Sequence, residues 1–249
     1  STLDSMAKTV QQSYSASRFD VNIEQPTVQK KSGETTQLTC NWLMMCSGYY
    51  NYEEGFTPEF KGREDFKGQV IHPQFWPENL DYSGKRVVVI GSGATAITLI
   101  PSMTDKAQHV TMLQRTPSYV ISVPQFDPMV RLLLKFLPEM TVYKMSRARN
   151  NFITQWIFKL SRKYPNFMRK LLLKQVKAQV GPNFDMKHFT PPYNPWDQRL
   201  CAVPNGDMFK ALRKKKASVV TDHIDRFTDK GILLKSGQTL EADIIVTAT

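Results

Sequence analysis

One stretch, Arg86-Val-Val-Val-Ile-Gly-Ser-Gly-Ala-Thr-Ala-Ile-Thr-Leu-Ile100, restricts this chain more than any other: a continuous β-branched run, a glycine turn, then a helix start built from small residues. A glycine pair alone would carry little, because such spacings also occur in ordinary turns. The strand before it and the helix after it supply the context of a dinucleotide-binding turn. Gly91 allows the tight passage from strand to helix, and Gly93 lets the backbone approach a pyrophosphate. Ala96, where a third glycine is usual, permits close packing of helix on strand. The helix start then offers unpaired N–H groups and the positive end of its dipole to the phosphates. Gly91, Ser92, Gly93, Ala94, Thr95 and Ala96 are therefore the candidate pyrophosphate-binding residues.

The next strand of such a unit ends about 20 residues beyond the glycines, where an acidic residue would bind the ribose 2′-hydroxyl of NAD and an Arg would accept the 2′-phosphate of NADP. His109-Val-Thr-Met-Leu-Gln-Arg115 fits that strand and ends in Arg, and Thr116 adds a hydroxyl beside it. A solvated strand-end cation is the bland reading of Arg115, but no carboxylate competes for the position. NADPH is expected in preference to NADH.

At 249 residues, with 41% hydrophobic and 22% charged residues, the chain has room for one large or two ordinary globular domains. No apolar run approaches the roughly 18 to 20 residues needed to cross a bilayer, and no signal peptide opens the chain, so a cytoplasmic location is expected. Cys40, Cys46 and Cys201 form neither an even disulfide set nor a metal-ligand spacing. Much of the net charge of +11 gathers between Arg131 and Lys177, where twelve Lys or Arg face a single acid, Glu139, with apolar residues interleaved at helical spacing. Helices are expected over about 127–190. A solvated face with Lys and Arg stems lying over apolar surface explains this pattern. Peripheral contact of basic helices 131–177 with anionic lipid is the other reading; no aromatic-basic motif favours nucleic acid.

Upstream of the glycine turn, Phe66-Lys-Gly-Gln-Val-Ile-His-Pro-Gln-Phe-Trp-Pro77 has the spacing Phe-x-Gly-x3-His-x3-Trp-Pro. Through Phe66, Gly68, His72, Trp76 and Pro77 this segment resembles the fingerprint of type I Baeyer–Villiger monooxygenases, flavoproteins that use NADPH and O2. N-oxygenating flavin monooxygenases share the Phe, Gly and His but usually close on an aromatic followed by Lys. Cys46-Ser-Gly-Tyr-Tyr-Asn51, Leu113-Gln-Arg-Thr-Pro117 and Tyr193-Asn-Pro-Trp-Asp-Gln-Arg-Leu-Cys201 extend the likeness, which is greatest to the branch containing the ethionamide-activating monooxygenase.

The resemblance implies an α/β fold with two dinucleotide-binding domains. Residues 1–48 would be the C-terminal β part, a meander and final strand, of an incomplete FAD-binding domain. Residues 49–83 would be the interdomain linker with its fingerprint and a hinge role, and 84–249 a Rossmann-type NADPH-binding domain with a helical insertion over about 127–190. It also implies FAD and NADPH as cofactors, and a small ketone or sulfur substrate oxidised by O2 through a flavin peroxide. Arg199 matches the family's active-site arginine: an always-charged guanidinium suited to stabilising that anion and its adduct with a carbonyl. Where many members carry Lys against the 2′-phosphate, this chain has Gln198, which donates hydrogen bonds without charge and leaves more of the NADP preference to Arg115. His72 has no carboxylate neighbour in sequence and is expected as a hydrogen-bonding hinge element; no metal site is expected.

Only Gly91 and Gly93 of the 12 glycines form a Gly-x-Gly pair, so the family's separate flavin-binding glycine turn has no counterpart here. The end, Ala242-Asp-Ile-Ile-Val-Thr-Ala-Thr249, stops one residue before the glycine of the family's Ala-Thr-Gly motif. An internal fragment is the expectation. An NADP(H)-binding module without oxygenase activity stays open as the alternative.

Overall fold

The computed structural model describes residues 27–29, 32–37, 51, 53–198 and 200–248. Cys40, Cys46, Arg199 and most of the strands expected before residue 48 lie outside them. The chain divides into two units, Ser1–Phe56 and Thr57–Thr249. In the first, β1 (Thr27–Gln29) and β2 (Thr35–Gln37) pair antiparallel across a turn in which Gly33 takes φ 86°, a conformation glycine adopts without strain.

The second unit is organised by β4 (Arg86–Ile90). Its apolar residues are buried on both faces of a parallel sheet, the setting that such unbroken β-branched runs require. The sheet has five strands in the order β3 (Gln69–Ile71), β12 (Ile244–Thr247), β4, β5 (His109–Gln114) and β8 (Ala217–Thr221), every pair parallel. Successive side chains of a strand point to opposite faces. Accordingly Val87, Val89, Val110, Met112, Ile244 and Val246 pack with Ile97, Ile100 and Met103 of α1 (Ala94–Met103) and with Met208, Phe209 and Leu212 of α5 (Asp207–Arg213). Val88, Ile90, Leu113 and Ile245 face the other way, onto Phe227, Ile232, Leu234 and Leu240. These belong to an antiparallel meander of β9 (Ile224–Thr228), β10 (Gly231–Leu234) and β11 (Thr239–Glu241). The unit is thus layered as helices, parallel sheet and meander.

Segment 66–71, just N-terminal to His72, joins this core. Phe66 is buried against Phe227, and β3 forms the edge of the sheet beside β12. Gly68 is required by space: a Cβ there would stand 2.4 Å from the Asp243 carbonyl oxygen and 2.5 Å from the Phe66 ring.

Beyond β5 the chain forms β6 (Tyr119–Val123), which pairs with β7 (Leu200–Pro204) in parallel. Parallel neighbours need a long crossover, and here it is helical. It comprises α2 (Pro128–Leu133), α3 (Glu139–Lys163), α4 (Pro165–Val180) and a 3-10 turn at Met186–Phe189. Asp127 caps α2 by accepting from the amides of Met129 and Val130, and Pro128 occupies the first helical position, where its missing N–H costs nothing. Helix α4 is anchored through Met168, Val176 and Val180, whereas α3 buries only Val142 and Ser161.

Candidate functional site

Parallel pairing brings the carboxyl ends of the five strands to one edge of the sheet. Ile71 faces Val246, Thr247 faces Ile90, Ile90 faces Leu113, and Gln114 faces Thr221. His72, Ala248, the glycine turn and Arg115 therefore line up along that edge, where open α/β sheets bind ligands.

At its centre Gly91 takes φ 131°, and its amide bonds to the Leu113 carbonyl at 2.8 Å. Gly93 is the N-cap of α1 and brings no side chain to it, and no acid stands in the first turn. The first intrahelical bond from this end runs from the Ile97 amide to the Gly93 carbonyl, so the amides of Ala94, Thr95 and Ala96 point out of the helix end. Ala94 and Thr95 are exposed, while Ala96 is buried against the sheet, as close helix-on-strand packing demands.

One strand over, Arg115 and Thr116 are both exposed, and Arg115 makes no ion pair or hydrogen bond to a described residue. Ser92 joins the two halves: its hydroxyl donates to the Thr116 carbonyl at 3.4 Å and lies 3.1 Å from the Ser118 hydroxyl. A guanidinium that no described residue neutralises thus stands beside an open helix N-terminus.

The Trp196-Asp-Gln198 loop is held by three contacts to α3. The Trp196 indole donates to the buried Ser161 hydroxyl at 3.2 Å and packs edge-on against Phe158; Asp197 pairs with Arg162 at 2.6 Å. Trp196 itself takes φ 71°, an uncommon conformation for a bulky side chain. Further back, the Tyr193 carbonyl accepts from the Tyr119 hydroxyl at 2.8 Å and from Arg169 at 3.2 Å. Burial pushes the Tyr119 hydroxyl pKa up, which keeps it a donor. Past the loop, Cys201 is buried in β7 with its sulfur 3.9 Å from the Ser92 carbonyl, so the strand that follows residue 199 touches the glycine turn. Gln198 is exposed.

His72 caps the 3-10 turn Pro73–Phe75, its Nδ1 accepting from the Gln74 amide at 3.2 Å. Trp76 packs partly buried against the helix-side core, and Pro77 is exposed. Phe66 and Gly68 precede β3, with Phe66 buried in the core, so the fingerprint spans from core to edge rather than forming a cluster.

Sequence reasoning missed a buried polar chain behind Arg115. Gln114, only 2% exposed, donates through Nε2 to the His188 carbonyl at 2.7 Å and to the Thr221 hydroxyl at 2.8 Å. Thr221 lies 2.8 Å from His188 Nδ1, and burial pushes the His188 pKa down, leaving a neutral ring. Only the polarity of a strand-end Gln signalled it. A groove of about 550 Å³ between α1 and α5, lined by Thr98, Pro101, Asp207, Lys210 and Lys214, lies on the helix-covered face, away from this edge.

Comparison with known proteins gives the chain's family and fold. The profile of the flavin-binding monooxygenase-like family (FMO-like) matches residues 5–157. A probable FAD-binding monooxygenase, AlmA, of an Acinetobacter species is 58% identical over 212 residues, which are 85% of this chain and 43% of that protein. The FAD-containing monooxygenase EthA of Mycobacterium tuberculosis is 53% identical over 219 residues, 87% of this chain and 45% of its own length. The chain thus spans less than half of these relatives. Among solved structures, an oxidised steroid monooxygenase bound to NADP superposes with a TM-score of 0.69 at 20% identity, over 91% of this chain and 50% of that one, a likeness of fold. With more than half of its length matched by one family profile, the chain belongs to the flavin-binding monooxygenase-like family.

Proposed function

We propose that this chain is the NADP(H)-binding part of a cytoplasmic FAD- and NADPH-dependent monooxygenase that places one atom of O2 on a ketone or a sulfur and reduces the other to water. The proposed division is 1–48 as part of the FAD-binding domain, 49–83 as the linker and 84–249 as the NADP-binding domain. The observation that carries the reading is the exposed Arg115 guanidinium, which pairs with no described residue, beside the open amides of α1. Two anionic groups separated as in NADPH, a pyrophosphate and a ribose 2′-phosphate, answer both features.

The described residues fit this cofactor. Amides 94–96 would receive the pyrophosphate, with Gly91 and Gly93 allowing its approach. Arg115 and Thr116 would hold the 2′-phosphate, with Gln198 adding neutral donors. FAD, when bound, supplies the electron transfer and oxygen activation. Arg199 would contribute a fixed positive charge at the reacting centre; the anchoring of residues 193–198 and the contact of Cys201 with the glycine turn support its nearness to the nicotinamide. Trp76-Pro77, as a close of the fingerprint, supports carbonyl or sulfur oxygenation over N-oxygenation.

Titration of the chain with NADPH and with NADH, followed calorimetrically, tests the cofactor assignment. Charge-assisted hydrogen bonds of about 1.5–3 kcal/mol correspond to roughly 10- to 150-fold in affinity, so NADPH should bind tighter by that order. Arg115→Ala should close most of the gap. Equal affinity for the two cofactors in the unmutated chain would refute the assignment.

A further inference from the structure

The helical insertion presents apolar surface that its own cations leave open. Phe136 is 76% exposed, Phe152 64% and Trp156 58%. On α3, positions 145, 149, 152, 156, 159 and 163 follow one another at steps of four and three, and so share one stripe of the helix. That stripe reads Met145, Arg149, Phe152, Trp156, Lys159 and Lys163, all exposed except the half-buried Arg149. On α4 the exposed Phe167, Lys170, Leu171 and Lys174 repeat the pattern at steps of three and four.

Charge decides what can cover this face. Two carboxylates from outside the segment are already engaged: Asp127 by Arg149, which holds its carboxyl below the usual range, and Asp197 by Arg162. Among the described residues no carboxylate lies within ion-pair distance of Lys144, Lys159, Lys163, Lys170 or Lys174. A second copy laid on this face would bring twelve more cations against these twelve, and like charges in juxtaposition oppose association. A further part of a longer protein would need a matching acidic surface to cover the face, and bare water leaves large aromatic rings exposed in a contiguous region, which monomeric proteins rarely do. An anionic lipid surface satisfies both demands, with phosphates for the lysines and an acyl boundary for Phe and Trp.

We propose that α2–α4 form a docking surface for anionic membrane. Helix α3 would lie in the plane of the interface, Phe152 and Trp156 seated at the acyl boundary and Lys159, Lys163, Lys170 and Lys174 over the headgroups. Among the described residues no helix is long and apolar enough to cross a membrane, in keeping with a surface mode. This inference is independent of the oxygenase reading, because its test involves neither cofactor nor turnover.

The test is flotation of the chain with phosphatidylglycerol-containing vesicles and with pure phosphatidylcholine vesicles, at low and high salt. Partition onto the anionic vesicles should be at least tenfold stronger and should weaken as salt screens the headgroups. Reversing Lys159, Lys163, Lys170 and Lys174 to Glu, all exposed and outside the cofactor edge, should abolish the preference while NADPH affinity and the far-ultraviolet spectrum stay unchanged. Brominated lipid should quench tryptophan emission, and Trp156→Phe should remove most of that quenching while flotation persists. Equal partition onto both vesicle types, or quenching unaltered in Trp156→Phe, overturns the proposal. So does a dimer that buries Trp156 and no longer floats, or a preference for duplex DNA over vesicles.

Discussion

Replacement of Gln114 by Leu removes two buried hydrogen bonds behind the carboxyl edge of the parallel sheet while keeping most of the side-chain volume. The His188 carbonyl loses a donor at 2.7 Å and the Thr221 hydroxyl one at 2.8 Å, behind a side chain that is 2% exposed. A typical bond contributes about 1 kcal/mol net, and a buried acceptor left without a partner costs about 1–3 kcal/mol. Thr221 keeps His188 as a neighbour, so one group rather than two is orphaned. The expected loss is about 2–3 kcal/mol, or roughly 4–12 °C in Tm for a unit of this size. Urea unfolding followed by circular dichroism reads it as a lower midpoint at unchanged slope. Gln114→Glu should cost more at neutral pH, since it sets an acceptor against the His188 carbonyl and buries a charge. A cycle with Thr221→Val should show coupling of about 0.5–1 kcal/mol, because the two side chains share a bond. A loss below about 0.5 kcal/mol in Gln114→Leu, or strict additivity in the cycle, would refute the view that this chain of bonds holds the returning turn of the insertion on the sheet.

Gly68→Ala should destabilise by about 1–3 kcal/mol in the same assay, because its Cβ meets the Asp243 carbonyl and a Phe66 ring that Phe227 prevents from yielding; wild-type stability would contradict the required close approach. Asp243 accepts from the Arg86 amide, Nε and Nη2, and these bonds from Arg86 lower its pKa to about 2 from an unfolded value of 3.8. A pKa depressed by folding contributes stability fully above pH 4 and loses it as pH falls toward 2. The stability difference between the unmutated chain and Asp243→Asn, at most about 1 kcal/mol for a partly exposed pair, should therefore hold from pH 5 to 8 and shrink below pH 4; a difference independent of pH would exclude this linkage.

Local order was legible in the residues themselves. Four apolar β-branched residues, a glycine pair and a small-residue helix start are consecutive, so the strand, the turn and α1 follow from short-range sterics, and Arg115 falls at the end of the next strand by length alone. The alternation that sends Val87 and Val89 one way and Val88 and Ile90 the other was implicit in the strand period. What covers each face was not, since the meander that receives Val88 and Ile90 arrives more than a hundred residues later. The same holds for β3, whose three residues give no periodic signal but complete the sheet edge beside β12. At the site, the sequence named Arg115 and the glycine turn, whereas tertiary structure supplied what surrounds them. Gln114 meets His188 at a separation of 74 residues and Thr221 at 107, and Cys201 reaches Ser92 across 109. Helical spacing likewise marked α3 and α4 as both apolar and basic, but periodicity records only which residues share a face. Only packing decided that Met168, Val176 and Val180 are covered while Phe152 and Trp156 stay open, because coverage depends on partners that no local run of residues contains.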